Sequence, residues 1–359
     1  MKLNLNLFSN KKTVALSKVA VFLFIFVLSI FSFISCDSKE ENRIVIWTCS
    51  RDFAQYAELY NQSHKTNKII IVYKENPAKS LPPQKDELSP DIVVGPWLQS
   101  ESIYKNFKPL DYIFDRRILT STIFYPQLME SGKFNDSQFL LPVSYNLPAV
   151  IFSQNDKDKI VNDFTLSLKD LREAGKSYNE TKKSGLFSKI GFPVTSNSDF
   201  LYHATKVYGV DFRNDGEKTK WNEANFTDAV KKIYEWVSTD NKSFQTESDF
   251  AFKYLNISDY RQADSDRTLF SYVRSNRIFD ILHTQDVSID YRWIANDNKI
   301  LIEDDVAFLG IYKKTKNQAG CTEFVTWLFN ESNQDKLLER KSNLNLDTEQ
   351  FGFAGGFSS

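Results

Sequence analysis

RIVIWTCSRDFAQYAELYNQSHKTNKIIIVY, residues Arg43–Tyr73, holds two short apolar runs on either side of a segment with helical spacing. Arg43–Thr48 (RIVIWT) and Ile69–Tyr73 (IIIVY) are nearly continuous in Ile and Val, the composition of strands buried on both faces. Between them Phe53, Tyr56, Ala57 and Tyr60 recur at three- and four-residue intervals. That spacing predicts a helix over Asp52–Ser63 with one apolar face. Strand, helix and strand in so short a span form a βαβ unit, and the crossover makes the two strands parallel. The chain therefore reads as α/β from this segment outward.

Further along, Pro90–Trp97 (PDIVVGPW) predicts a third strand closed by a turn, after the loop that carries Pro82 and Pro83. Leu141–Phe152 (LPVSYNLPAVIF) is extended and holds two prolines, which suits a strand passing from one lobe to another. Asp163–Ala174 reads as a helix stopped by Gly175. Lys189–Val194 and Ile278–His283 read as short strands, the first leading into polar Thr195–Asp199. Phe226, Ala229, Val230, Ile233, Trp236 and Val237 lie on one helix face. Asp305–Tyr312 (DVAFLGIY) is a last apolar run, followed by a helix from about Asn317 to Asn330. Trp236 and Trp327 fall on apolar helix faces and are assigned to the core, while Trp221 precedes a helix and stays open.

The chain has 359 residues, a length that favours two domains. Apolar residues make up 42% and charged residues 25%, which excludes a disordered chain. Lys plus Arg is 45 against 46 for Asp plus Glu, so bulk charge gives no reason to expect nucleic-acid binding. Three Cys and three His, all scattered, exclude a disulfide scaffold and a His- or Cys-rich metal site. His64 reads as solvated at a helix end, His203 as partly buried, and Asp304-Asp305 as solvated turn residues. There is no Gly-rich phosphate loop and no GxSxG elbow. Ser102–Lys105 matches SxxK but lacks the companion motifs that would give it catalytic meaning. Neither catalysis, nor a cofactor, nor a metal is expected.

Residues 1–35 carry Lys2, Lys11, Lys12 and Lys18 and no acidic residue. Val19–Ile34 (VAVFLFIFVLSIFSFI) is uncharged, too short for a membrane span and the right length for the apolar part of an export signal. The run ends Phe33-Ile34-Ser35-Cys36, an apolar residue at −3, a small one at −1, then Cys. This resembles a bacterial lipobox, in the relaxed form typical of spirochaetes. The resemblance implies that 1–35 is removed and that the Cys36 thiol receives a diacylglyceryl group. Two or three acyl chains anchor durably where one does not. Polar 36–42 then reads as a tether to the membrane. An uncleaved N-terminal helix with an incidental Cys is the other reading.

Several stretches resemble the extracellular solute-binding proteins of ABC importers, of the maltose-binding-like family. Arg43–Asp52 is similar to that family's first strand and turn, and Pro90–Val94 to its PDI/PDV strand. Leu141–Phe152 resembles its first lobe crossover, although Phe152-Ser153 replaces the usual Tyr-Asn. Ala307–Lys316 with Asn317–Gln334 is the closest match: a Gly-Ile strand, a short basic loop, then a helix with Trp-Leu and a Gln. Ser275–Phe279 departs from the family's Gly-x-x-Ala-Met, and the sequence given ends at Ser359 where many relatives continue. The resemblance implies an α/β, two-lobed periplasmic-binding-protein fold of type II, with a ligand cleft between the lobes. Its lobes are expected at 43–146 plus 300–359 and at 147–299. It also implies a permease partner and export to the periplasmic side or the cell surface.

Ligands of such sheets lie beyond the carboxyl ends of strands, and this rule selects the candidates. Trp47, Arg51 and Asp52 leave the first strand, with core packing for Trp47 and a helix cap for Asp52 as the alternatives. Trp97 follows the PDIVV strand, as a stacking surface for a sugar or as a loop anchor. Tyr145 and Asn146 sit on the crossover. Ser196, Asn197 and Asp199 follow one strand of the second lobe, and His283 and Gln285 follow another. Trp293 is placed at the rim, and Cys49 and Cys321 both fall in the first lobe. The expected function is a lipid-anchored receptor for a small polar solute, first of all a sugar or oligosaccharide. A surface lipoprotein that uses the fold for adhesion or sensing is the alternative. An exported enzyme is disfavoured by the missing motifs.

Overall fold

The computed structural model describes residues 43–215, 218–284, 288–297 and 299–343. In chain order the elements that matter are β1 (Arg43–Thr48), α1 (Phe53–Ser63), β2 (Lys68–Tyr73), β3 (Ile92–Gly95), β4 (Leu141–Ser144), β5 (Pro148–Ser153) and β6 (Thr165–Leu166). Then come α2 (Leu168–Tyr178), α3 (Ser198–Val207), α4 (Glu223–Asp240), α5 (Phe244–Tyr254), β7 (Ser271–Arg274), α6 (Ser275–Thr284), β8 (Ile289–Ile294), β9 (Ala307–Ile311) and α7 (Gln318–Leu328).

β1 and β2 pair in parallel from Arg43↔Lys68 to Thr48↔Tyr73, with α1 as the crossover. The full sheet has the order β2-β1-β3-β9-β4, with β9 antiparallel to both neighbours. Alternation divides each strand between two buried faces. Ile44, Ile46, Ile92, Val94 and Leu309 meet Phe53, Tyr56 and Tyr60 of α1 and Phe324 of α7. Tyr60 stands edge-on to Phe324 and Trp327, with centroids 5.4 and 5.3 Å away. Val45, Trp47, Val93 and Phe308 face the other way, against Ala78, Leu81, Leu98 and Phe107.

A second, separate sheet has the order β7-β5-β8-β6. Its central strand β5 sends Val150 and Phe152 to a cluster with Phe200, Trp236 and Phe270. Ala149 and Ile151 go to the opposite face with Val273, Ile278 and Ile289. Leu141–Phe152 is thus two strands in two sheets, broken at 145–147, where a single crossing strand was expected.

Other elements differ from their sequence reading for identifiable reasons. α2 continues through Gly175, which is buried. A Cβ on Gly191 would collide with the Gly175 carbonyl oxygen, so this pair of glycines lets a helix and a loop touch backbone to backbone. Gly175 serves close approach, not helix termination. Ile278–His283 belongs to α6, not to a strand. Ile278 and Ile281 are buried at three-residue spacing while Leu282 is 42% exposed, a helical pattern hidden in a short apolar run. The strand expected at Lys189–Val194 instead ends at Lys189, and Val194–Ser196 forms a 3-10 turn.

His203 on α3 is fully buried, where partial burial was expected, and neither ring nitrogen has a hydrogen-bond partner. Burial, then the charge of Lys206, lowers its pKa from 6.5 to about 4, against a weaker opposing effect of Asp304. A base whose folded pKa is depressed stabilises the fold fully above its unfolded value, and that stability is lost as pH falls through the window. Unfolding free energy should therefore drop between pH 6.5 and pH 4, with about 3 kcal/mol assignable to this histidine. His203→Phe should flatten that limb in urea titrations run at a series of pH values; an unchanged slope would place the proton uptake elsewhere. In the same assay Trp236→Ala, which empties the core beside Phe192 and Phe200, should cost roughly 3–5 kcal/mol.

Candidate functional site

The registers show where the strand ends gather. Thr48 lies opposite Tyr73 and Val94, Gly95 opposite Phe308, and Ala307 opposite Ser144. The carboxyl ends of β1, β2 and β3 are therefore on the same edge as the end of β4 and the start of β9. In the second sheet Pro148 lies opposite Arg274, and Ala149 opposite Trp293. The carboxyl ends of β7 and β8 thus flank the start of β5. Both sets of ends border the two connections between sheets, 145–147 and 295–306.

Polar groups from both connections interlock there. Asn146, 1% exposed, donates from Nδ2 to Asp305 at 3.2 Å. Its Oδ1 accepts from Ser275 Oγ at 3.2 Å and from the Asn276 amide at 3.3 Å. The Glu303 amide donates to the Asn146 carbonyl at 2.9 Å, which joins the two connections directly. Arg274, at the end of β7, reaches Asp305 at 2.9 Å and Asp199 at 3.4 Å. Lys206 and Tyr202 of α3 both engage the Asp304 carboxylate, and Tyr272 donates to Glu303. Tyr272 and Glu303 are 5% and 4% exposed. Burial pushes the Glu303 carboxyl above its usual range, against the lowering effect of the Tyr272 hydroxyl and Arg274. Burial also raises the Cys49 thiol, with the smallest contribution from the charge of Asp305.

The candidate residues separate into distinct groups. Asn146 and Asp199 meet at the Arg274–Asp305 pair. Trp97 is 39% exposed and holds a left-handed backbone, φ 67°, just beyond β3. A bulky side chain in that conformation is unusual, and such outliers concentrate at ligand-handling positions. Tyr145 is half-buried and edge-on to the exposed Tyr125 with centroids 5.8 Å apart; burial and that neighbour push its phenol up to about 12. Arg51 is exposed, and Asp52 occupies the N-cap position of α1, 8% exposed. Trp293 is half-buried and packs edge-on to Tyr291 at 5.1 Å.

Two readings are corrected. Trp47 is fully buried: alternation places it with Val45 on a core face, its indole donates to the Leu88 carbonyl at 3.0 Å, and Lys74 covers its ring at 4.2 Å. Asp304 and Asp305 are not free turn carboxylates but ion-pair partners. Ser196 and Asn197 serve their own turn, Ser196 Oγ donating to the Pro193 carbonyl at 2.7 Å and Asn197 capping α3 through the Phe200 amide at 3.0 Å. His283 stands on α6, with its side chain outside the described residues, as are Gln285 and Cys36. Cys49 and Cys321 are free thiols, and burial pushes Cys321 up to about 12. Arg274, Lys206 and Glu303 were absent from the sequence candidates. The run Glu303-Asp304-Asp305 was visible, but its partners lie 31 or more residues away in the chain. Among the described residues no group of three or more His, Cys, Asp and Glu side chains could hold a metal. No helix among them is long and apolar enough to cross a membrane.

No protein-family model matches the sequence, and no curated protein does. Solved structures do match in shape. The chain superposes on mannotriose-bound CpMnBP1 with a TM-score of 0.61 at 14% identity, covering 87% of this chain and 82% of that one. An ABC substrate-binding protein of Listeria monocytogenes, in complex with cycloalternan, gives 0.58 at 12% identity over 88% and 80%. The maltose-maltodextrin binding protein of Alicyclobacillus acidocaldarius gives 0.53 at 14% identity over 87% and 81%. Two sheets with converging strand ends, joined by two short connections, thus give this chain the two-lobed α/β fold of the maltose-binding type of substrate-binding protein.

Proposed function

We propose that this chain is a lipid-anchored receptor that captures a sugar or oligosaccharide between its lobes and delivers it to an ABC importer. The observation that carries this reading is the junction itself: strand ends of both sheets converge on a polar cluster with the exposed, left-handed Trp97 beyond β3. The structural neighbours support it, being described as bound to mannotriose, cycloalternan and, in a fourth case, maltotetraose. Sugar hydroxyls both donate and accept, so they suit Asp199, with its side chain 54% exposed, and Arg274, 34% exposed. An indole face removes the sugar's C–H surface from water. Closing the lobes excludes water and strengthens each of these hydrogen bonds. Lipid on Cys36 would hold the receptor at the membrane where the permease resides.

Calorimetry with mannotriose and maltotetraose tests the binding. A saccharide that binds should raise the unfolding free energy by about 2.7 kcal/mol at 100 times its Kd. Trp97→Ala should weaken binding by roughly 1.5–3 kcal/mol, the scale for one large apolar side chain, and change stability less. If neither these nor other oligosaccharides shift the melting transition, the sugar-receptor reading fails. For the anchor, Cys36→Ser should move the exported protein out of the detergent phase; continued partition with membranes would mean a different attachment.

A further inference from the structure

Away from the junction, a small core of Phe187, Ile190, Phe250 and Leu255 joins α5 to a hairpin, Glu180–Thr181 paired with Phe187–Lys189. Cations crowd around it. Lys182 and Lys183 stand on the hairpin turn, Lys242 precedes α5, Lys253 lies near the end of α5, and Arg267 follows a nearby turn. Three of them converge on Tyr254. Lys182 Nζ is 3.4 Å from its hydroxyl, and Lys253 Nζ and Arg267 Cζ lie 5.1 and 4.9 Å from its ring centre. Lys253 first, then Lys182, holds this phenol below its usual range, the direction that positive neighbours impose. Lys242 lies over the Phe187 ring at 4.7 Å and donates to the Gly185 carbonyl at 2.5 Å.

These cations are held by rings, a hydroxyl and carbonyls. Among the described residues none of the five forms an ion pair, whereas neighbouring Lys189 has Asp266 at 2.7 Å. Glu247 of α5 is turned into the fold, where it accepts from Thr195 and Asn241. Asp249 and Glu180 are the exposed acids of α5 and the hairpin. The surface is therefore positive, although the whole chain has a formal charge of -1. It also carries apolar side chains in water. Leu186 is 58% exposed, Phe244 63% and Phe252 90%. Phe252 is two residues from buried Phe250 on the same helix, so the helical turn points it outward. Single exposed apolar residues are ordinary. Three beside five cations without ion pairs are a pattern.

We infer that this surface docks on an anionic bilayer, with the lysines and Arg267 against lipid phosphates and with Phe252, Phe244 and Leu186 in the acyl boundary. This rests on the membrane-held receptor reading for the presence of a bilayer. The combination of cations with protruding apolar side chains favours lipid over an acidic protein. A protein must offer a shaped pocket to each protruding side chain, whereas a fluid acyl boundary takes it in directly. Charges at a lipid surface act within a Debye length, about 8 Å at physiological salt, so acids elsewhere on the chain do not cancel these cations. A second contact, far from Cys36 in the chain, fixes how the receptor lies on the membrane.

Vesicle binding tests the docking without acyl chain or sugar. The chain from residue 36 onward, with Cys36→Ser so that it carries no lipid, is sedimented with vesicles of phosphatidylcholine and phosphatidylglycerol in equal parts, and with phosphatidylcholine alone. It should bind the anionic vesicles at low salt, lose them at high salt and leave the neutral vesicles free. Lys182→Gln and Lys253→Gln should each weaken partition about fivefold, the equivalent of about 1 kcal/mol for one charge at a lipid surface. Phe252→Ser should weaken it roughly tenfold, as expected for partial burial of a large apolar side chain. Lys232→Gln, a lysine paired with Asp228 on α4, should change nothing. Melting midpoints of all four variants should match the parent, because these side chains are exposed. No binding to anionic vesicles, equal binding to neutral ones, or indifference to the Lys182, Lys253 and Phe252 variants overturns the inference. Capture of soluble polyglutamate as tightly as vesicles, with Phe252→Ser harmless, also overturns it and assigns the surface to an acidic protein. Absence of saccharide binding beside intact vesicle binding would defeat the receptor reading alone.

Discussion

Asn146 uses its whole side-chain amide at one point: Nδ2 holds Asp305 while Oδ1 takes Ser275 and Asn276. Its carbonyl also accepts the Glu303 amide. A buried amide left unpaired is costly, so these bonds fix both connections relative to β7 and α6. The rest of the architecture depends on this. Two sheets that share no strand are joined by their connections, and the connections are only as rigid as the groups that hold them.

The charges around Asn146 follow the rules for partly buried ions. Asp304, Asp305 and Glu303 are consecutive and would repel one another if left alone. Each is given its own donor: Lys206 and Tyr202, Arg274, and Tyr272. Arg274 can serve both Asp305 and Asp199 because its guanidinium presents several donors in a fixed plane. A network of this kind, in which Arg274 Nε and Asp305 Oδ1 still lack hydrogen-bond partners, contributes geometry more than stability. Its value lies in presenting polar groups at a set position beside the strand ends.

Backbone conformation sets the chain just beyond β3. Gly95 packs against Pro77, and the chain then turns through Pro96 into the left-handed Trp97. Trp47 and Trp97 illustrate how little the residue type decides by itself. Both follow apolar strand residues near a carboxyl end, yet one is sealed in the core and the other stands in solvent. The difference is one of position in the pleat: Trp47 is still inside β1, where alternation assigns its face, whereas Trp97 lies past the last ladder pair of β3.

What the sequence determined on its own is what local periodicity can carry. The βαβ opening, the buried strands at 92–95 and 307–311, the helix faces bearing Trp236 and Trp327, and the α/β class all follow from spacing within a short window. A run of a few apolar residues carries less information, so Ile278–His283 was read as a strand when it is helix. Gly175 looked like a stop because its partner Gly191 lies on another segment. The junction was beyond reach for the same reason. Asn146, Arg274 and Asp305 are more than 30 residues apart in the chain, and only folding makes them neighbours. Their roles come from pairing, and pairing between distant residues depends on strand register and on which face a side chain takes. Those are settled by tertiary packing, because burying both faces of two separate sheets leaves few arrangements that also satisfy every buried charge.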